Sequence, residues 1–304
     1  MRAPDAPEEE ARWLAAAGRA DGARAILMQA PVGTSPQAAA QLAAFRRIGA
    51  WLRAQGLGAP AEIRADAERG ILLLEDLGPV SFAALLDAAD PAAGTAYDTA
   101  VDVLARVAGA EAPGGLEAPG PETLAAMVTP TLDALPAEVA FATGLRPALR
   151  EALTRLAPAA TAVALRDVHA ENLIWRADRT GLLRVGLLDF QDALLLPDGY
   201  DLASLLDDPR REVPTDWRGA LIARYAAARG VPAAEMASRV DLLSLLRNLR
   251  IHGIFRRLAT QGGRPRYARF QPRVRRLIAR AAAHALQDPV EKLLDATASW
   301  EGAR

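Results

Sequence analysis

Apolar residues recur at three- and four-residue spacing through residues 36–55, where Leu42, Phe45, Ile48, Trp51 and Leu52 share one stripe, and this predicts an amphipathic helix. The glycines Gly56 and Gly58 end it. Before it, residues 8–18 have helical character, Gly18 and Asp21-Gly22 mark a turn, and residues 25–28 form a short β-compatible run. After it come two strands, residues 62–65 and 70–75. The second contains Ile71-Leu72-Leu73-Leu74, a continuous apolar run of the kind a buried strand shows. Ser81 can cap a helix over residues 82–89, and helical periodicity then extends to Leu156, broken by a Pro/Gly-rich stretch at 112–121. One further β island spans residues 161–189. From Tyr200 onward the chain reads as helix, with long periodicities at 217–229, 234–258 and 273–286. The simplest organisation is a small N-terminal α+β lobe, residues 1–78, and a larger helical lobe, residues 79–304, that carries a β-hairpin.

Composition narrows the chemistry. The 304 residues include no cysteine, which removes disulfides, thiolate zinc sites and cysteine nucleophiles, and three scattered histidines make a histidine-rich metal site unattractive. The first ten residues carry three consecutive acids and no apolar core, so they do not read as a secretory signal, and no apolar run approaches a membrane span; a cytoplasmic location is expected. The net charge of −1 hides an uneven distribution, since residues 247–280 carry eleven arginines and no acid. Lys292 is the single lysine of the chain.

The chemistry concentrates in Arg166-Asp167-Val168-His169-Ala170-Glu171-Asn172-Leu173 and, after a turn-rich loop at 177–181, Leu187-Leu188-Asp189-Phe190-Gln191-Asp192. Residues 173–176 and 183–188 are β-compatible, and a hairpin would bring Asn172 and Asp189 out at one edge. Asp167, five residues before Asn172, can turn toward the same edge. Two carboxylates and an amide oxygen form the kind of small hard-oxygen set that Mg²⁺ takes beside a substrate phosphate, and Asp167 can accept the proton of an attacking hydroxyl.

These residues resemble the catalytic segment of the aminoglycoside phosphotransferase and choline kinase superfamily, which has the same Asp-x-His-x-x-Asn loop. Together with Leu-Asp-Phe-Gln-Asp-Ala at 188–193 and Tyr-Asp-Leu at 200–202, the spelling is most similar to bacterial anomeric kinases of N-acetylmuramate and N-acetylglucosamine, which act in cell-wall recycling. The resemblance implies an α+β, protein-kinase-like bilobal fold and an ATP-dependent phosphotransferase acting on a small-molecule hydroxyl. It makes Asp167 the catalytic base and Asn172 and Asp189 the Mg²⁺ ligands. His169 and Asp201 would support the catalytic loop, and the backbone of Glu75 and Leu77 would meet the adenine at the hinge. Arg247, Asn248 and Arg250 would border the acceptor. The absence of an activation loop before Tyr200 argues against a protein substrate.

The sequence departs from the superfamily at its start. With residues 8–18 read as helix, the N-terminal lobe holds about three strands plus a helix and has no room for the hairpin whose loop covers the phosphates. No lysine is available as a phosphate clamp, and Met28 stands where one would sit. Either Arg24 or an arginine of the helical lobe replaces the clamp, or the chain is a pseudokinase that senses ligand without turnover. The arginine tract has two readings, a solvated helix face with Leu249, Ile254 and Leu258 turned inward, or the acceptor border. A nucleic-acid partner is set aside, because the pI is near 6.4 and no aromatic platform accompanies the charge. No membrane partner is expected, and no pattern in the sequence bears on oligomeric state.

Overall fold

The computed structural model describes residues 13–18, 24–157, 161–282 and 286–302, with side chains described from residue 24 to residue 300 within those ranges. In chain order the elements are β1 (Trp13–Gly18), β2 (Arg24–Gln29), α1 (Pro36–Ala54), β3 (Glu62–Asp66), β4 (Ile71–Glu75), α2 (Phe82–Asp87) and α3 (Ala92–Gly109). Four helices follow, α4 (Pro121–Ala125), α5 (Thr129–Leu132), α6 (Ala137–Ala142) and α7 (Leu145–Leu156). Short strands come next, β5 (Ala162–Ala164), β6 (Leu173–Trp175), β7 (Val185–Leu187) and β8 (Leu194–Leu196). The chain ends in α8 (Tyr200–Leu206), α9 (Trp217–Arg229), α10 (Ala233–Thr260), α11 (Gln271–Ala282) and α12 (Gln287–Ala296). Among the described residues no helix is long and apolar enough to cross a membrane.

Among the described residues, those up to 116 together with 165–194 make one compact unit, and those at 117–164 and from 195 onward make the other. The first unit is built on a four-stranded antiparallel sheet of order β1-β2-β4-β3. This corrects the expectation of about three strands. Trp13–Gly18 is a strand, paired with β2 from Trp13↔Gln29 to Gly18↔Arg24, where the sequence pattern suggested a helix. An Ala-rich stretch favours helix by intrinsic propensity, but strand formation depends on an available edge, and β2 supplies one. The two antiparallel strands for which the sequence predicts no room are therefore present. The expected turn at Asp21-Gly22 and the acidic first ten residues lie outside the described residues.

In β4 only Leu72 and Leu74 are fully buried, so the apolar run is one-faced, with Ile71 and Leu73 half-buried. Helix α1 starts at Ser35, whose hydroxyl accepts from Ala38 N–H at 3.1 Å, and buries Leu42, Phe45, Ile48 and Leu52 as the periodicity predicts. Trp51 is the exception: it stays half-buried and donates its indole N–H to the Glu111 carbonyl at 2.9 Å. In α2, Ser81 caps as expected, accepting from Ala84 N–H at 3.1 Å.

The second unit is helical except for the short β5–β8 ladder. Its spine is the 28-residue helix α10, which buries residues on more than one face, among them Leu245, Leu246, Leu249, His252 and Phe255. The inward stripe assigned to Leu249, Ile254 and Leu258 holds only at Leu249, since the other two are half-buried. Helix α5 crosses α10 at Gly253, where an added Cβ would lie 2.2 Å from the Pro130 carbonyl. The Thr131 hydroxyl sits in that crossing, accepting from Gly253 N–H at 2.7 Å and donating to the Leu249 carbonyl.

Candidate active site

Asp167, Asn172 and Asp189 are half-buried, while their neighbours Val168, Ala170, Leu173 and Phe190 are buried. The loop turns on itself through backbone bonds, Asp167 N–H to the Leu165 carbonyl at 3.0 Å, His169 N–H to Asp167 at 3.1 Å, and Asn172 N–H to His169 at 2.9 Å. His169 is nearly buried, and its Nδ1 accepts from Glu171 N–H at 3.3 Å. Asn172 Nδ2 donates to the Asp167 carbonyl at 2.9 Å, which assigns the amide orientation, because only the nitrogen can donate to a carbonyl, and directs Oδ1 away from that contact.

The β6–β7 register, Leu173↔Leu187 to Trp175↔Val185, continues with Leu188 N–H donating to the Asn172 carbonyl at 3.0 Å. Asn172 and Asp189 thus emerge at one end of the hairpin. The strands are shorter than the sequence suggested, because residues Gly181–Arg184 form a 3-10 turn before β7 begins at Val185. Backbone strain gathers at this end: Arg166 has φ 75° and Asp189 φ 56°, values that non-glycine residues seldom adopt.

Two residues without an assigned role in the sequence orient these groups. Gln191, itself buried, donates Nε2 to Asp189 Oδ1 at 2.8 Å. Arg166 Nη1 donates to the Asp192 carbonyl at 3.2 Å, joining the loop to the segment after Asp189. The sequence signal for both was their place inside the quoted motif. Between them Phe190 is fully buried and stacks on Phe45 of α1, ring centroids 4.9 Å apart and planes at 13°.

The hairpin is clamped on both flanks. Leu187 N–H donates to Gly58 at 2.7 Å, so close that an added Cβ on Gly58 would stand 2.4 Å from the Val185 carbonyl oxygen. Trp175 N–H donates to Val80 at 2.7 Å on the other side. Glu75 is committed through both side chain and backbone: Oε1 meets Arg176 Nη2 at 2.6 Å, and its N–H donates to Ala61 at 2.8 Å. Leu77 is buried, and among the described residues its N–H meets no acceptor. Arg24, the alternative phosphate clamp, lies 2.9 Å from Asp76 with its side chain largely exposed, and Met28 is buried in β2.

Asp167, His169, Asn172, Asp189, Glu75 and Leu77 therefore belong to the first unit, and Asp201, Arg247, Asn248 and Arg250 to the second. Asp201 is buried in the first turn of α8. Arg247 and Asn248 are buried as well, so the solvated-face reading does not describe them; Arg250 is half-buried. Arg247 lies over the Tyr200 ring at 5.7 Å, and its Nη1 has no hydrogen-bond partner among the described residues. Asn248 donates Nδ2 to the Ser244 carbonyl at 3.0 Å and leaves Oδ1 buried and unpartnered. Buried polar atoms are almost always paired, so one donor and one acceptor on adjacent residues are an exception.

No group of three or more His, Cys, Asp or Glu side chains placed to hold a metal occurs among the described residues. Asn172 and Asp189, a hard-oxygen pair at one hairpin end, have the donor chemistry Mg²⁺ takes, with its other ligands left to substrate phosphate and water.

The profile of the phosphotransferase enzyme family matches residues 9–243. The chain is 38% identical over 257 residues to an N-acetylmuramate/N-acetylglucosamine kinase of Caulobacter vibrioides, covering 78% of this chain and 69% of that protein. In fold it is similar to a choline/ethanolamine kinase family protein from Mesorhizobium loti, with TM-score 0.61 at 16% identity over 92% of each chain. It is also similar to a macrolide 2'-phosphotransferase from Brachybacterium faecium, with TM-score 0.59 at 13% identity over 90% of this chain and 91% of the other. The expected kinase-like α+β fold is thus the observed one.

Proposed function

Because the chain belongs to the phosphotransferase enzyme family, we propose that it transfers the γ-phosphoryl group of ATP to a hydroxyl of an amino sugar of the N-acetylmuramate/N-acetylglucosamine class. The observation that carries this reading is the hairpin end, where Asp167, Asn172 and Asp189 are half-buried on a loop whose backbone is tied down and whose neighbours are core. In the proposed mechanism Asp167 takes the proton of the attacking sugar hydroxyl and directs its oxygen in line with the γ-phosphorus. Asn172 and Asp189 would hold Mg²⁺, which would supply positive charge to offset that of the transferring phosphoryl group. Gln191 and Arg166 keep these groups from drifting, and positional drift is costly where catalysis is mostly alignment and electrostatics.

In this reading residues 1–78 face the nucleotide and residues 79–304 the acceptor, a functional division distinct from the two compact units. Leu77 N–H and the Glu75 carbonyl would meet the adenine edge. The buried Arg247 Nη1 and Asn248 Oδ1, with Arg250, would receive acceptor hydroxyls or a carboxylate. His169 and Asp201 would support the catalytic loop.

The pseudokinase reading keeps one specific observation, a buried Met28 where a lysine clamp would stand. The pairing of β1 with β2 answers only the objection that the lobe has no room for a hairpin. The two separate in one assay: ATP consumption with Mg²⁺ and either sugar, beside Asp167→Asn, which keeps the side chain's size and removes its basicity. Loss of turnover by about 10² to 10⁴-fold in the variant is expected for a general base. Wild-type protein that binds ATP with Mg²⁺ but consumes none with either sugar would sink the amino-sugar assignment, and protein that binds no nucleotide would establish the pseudokinase.

A further inference from the structure

The second unit contains a cavity of about 240 Å³ that none of the candidate catalytic residues lines. Its wall combines Arg218 of α9 with Arg273, Arg276 and Arg280 of α11, and one acid, Glu212. The three arginines of α11 follow one another at spacings of three and four residues, which puts them on a single helix stripe. Four guanidinium groups round one concavity repel each other unless anions lie among them, so the question is how many of these charges the protein itself answers.

Behind the wall, Asp207 is fully buried and meets Arg280 at 2.5 Å and Arg218 at 3.5 Å. Burial alone would push the Asp207 carboxyl up, yet Arg218, Arg280 and the Ser244 hydroxyl together hold it below its ordinary value. Arg218 also meets Asp241 at 2.8 Å, while its Nε is buried and has no hydrogen-bond partner among the described residues. Arg273 is pinned by backbone, Nε to the Asp208 carbonyl at 2.9 Å and Nη2 to the Arg211 carbonyl at 2.7 Å. Its Nη1 reaches Glu212 at 3.5 Å, a side chain 72% exposed and free to swing away. Arg276 has no acid partner among the described residues. The internal carboxylates thus fix the arginines from behind without occupying the cavity. The Arg273 guanidinium is held below its ordinary value, first by burial and further by Arg276 beside it, against the pull of Glu212, Asp208 and Asp207.

We infer that this cavity is a phosphate-binding site, separate from the phosphoryl-transfer residues, that takes a dianionic phosphate either free or as the phosphate of a small phosphomonoester. The size decides against a nucleotide, since pockets for drug-sized ligands begin at roughly 300 Å³. The charge and the fork-shaped donors decide for an oxyanion, because arginine pairs with phosphate and carboxylate through parallel N–H bonds. Donors arriving from α9 and from two turns of α11 suit the several oxygens of a tetrahedral ion better than the two of a planar carboxylate. The assignment stands whether or not the amino-sugar reading holds.

Calorimetry and thermal shift with inorganic phosphate, glycerol phosphate and acetate, at ionic strength matched with chloride, test it. Saturable phosphate binding is expected, weakened at least about tenfold in Arg276→Ala, the worth of one charge-assisted hydrogen bond, and less in Arg276→Lys. The fold should not suffer, because Arg276 is exposed and without a partner among the described residues; circular dichroism checks this. Tighter binding of glycerol phosphate than of inorganic phosphate identifies a phosphorylated metabolite as the source, and equal binding identifies free phosphate. Absence of saturable binding, binding unchanged in Arg276→Ala, or acetate binding as tightly as phosphate overturns the inference.

Discussion

In the β6–β7 hairpin the polar side chains stand at the ends of strands, half-buried, with partners close in sequence: Asn172 leans on the Asp167 carbonyl and Asp189 on the Gln191 side-chain amide. In helix α10 they stand in mid-element and are buried, and Arg247 Nη1, Asn248 Oδ1 and His252 Nε2 are left without hydrogen-bond partners among the described residues. The difference follows from what each element leaves over. A strand end has loose N–H and carbonyl groups that can orient a side chain, whereas a helix interior has used its N–H groups and offers only shared carbonyls, as Ser244 does to Asn248, so the remaining polar atoms depend on tertiary neighbours. The hairpin site is locally built, and the helix site is built by the surrounding fold.

Removing the aromatic anchor between the hairpin's end and α1 should therefore have the largest effect on stability. Phe190 is fully buried and stacked on Phe45, and Gly49 of α1 approaches its ring so closely that an added Cβ would lie 3.2 Å from it. Phe190→Ala is expected to cost about 3–5 kcal/mol in urea unfolding, the range for emptying a buried aromatic site. In the fraction that stays folded, kcat should fall more than KM, because Asp189 is the preceding residue. Phe190→Leu should recover most of both. A variant with full stability would show that the hairpin does not depend on α1.

The helix side of the comparison can be probed by pH. Gln271 Nε2 donates to the His252 carbonyl at 3.0 Å and so turns Oε1 toward His252 Nδ1, 2.5 Å away, which makes Nδ1 the protonated nitrogen. Nε2 is buried, and the ring lies against Trp300 with centroids 4.5 Å apart. Burial pushes the imidazole down from 6.5 to about 4, with Arg275 and Arg256 adding to the shift and the Gln271 bond opposing it. The unfolded chain takes up this proton near pH 6.5 and the folded chain only near 4. His252 therefore contributes full stability above the first value and loses it as pH falls toward the second, about 3 kcal/mol in all. Unfolding free energies of wild type and His252→Gln, compared at about pH 7 and about pH 4.5, should converge on acidification. A difference that stays constant with pH would mean that the buried ring does not control this loss.

The same contrast governs what could be read from the sequence. The emergence of Asn172 and Asp189 at one hairpin end is legible because a hairpin's register is local, and α1 and α9 are legible because a one-sided stripe is written at 3.6-residue spacing. Trp51 shows that a stripe position can be left half-buried when its side chain has a hydrogen bond to make, here to the Glu111 carbonyl. Burial of Arg247 and Asn248 was not legible, since arginine and asparagine carry no sign of which neighbours enclose them. The Glu75–Arg176 pair, 2.6 Å apart, joins residues separated by 101 positions, and no periodicity reaches that far. The arginine stripe of α11 was visible as charge, but the Asp207 carboxylate behind it became apparent only in the fold.

The smallest effect, and the sharpest on the sequence itself, concerns β1. An antiparallel edge strand turns alternate N–H groups to its partner and the others to solvent. With Trp13 opposite Gln29 and Ala16 opposite Ile26, amide exchange followed by NMR through residues 13–18 should alternate between protected and fast. A helix over residues 8–18 would instead protect consecutive amides beyond its first turn. Ala15→Val with Ala17→Val adds an energetic readout. Valine favours a strand by up to about 1 kcal/mol and disfavours a helix by a comparable amount, so the two structures predict opposite signs. A raised or unchanged melting temperature together with alternating protection fits the hairpin. Consecutive protection with a lowered melting temperature would return residues 13–18 to a helix, and with it the objection that the N-terminal lobe has no hairpin to cover a nucleotide.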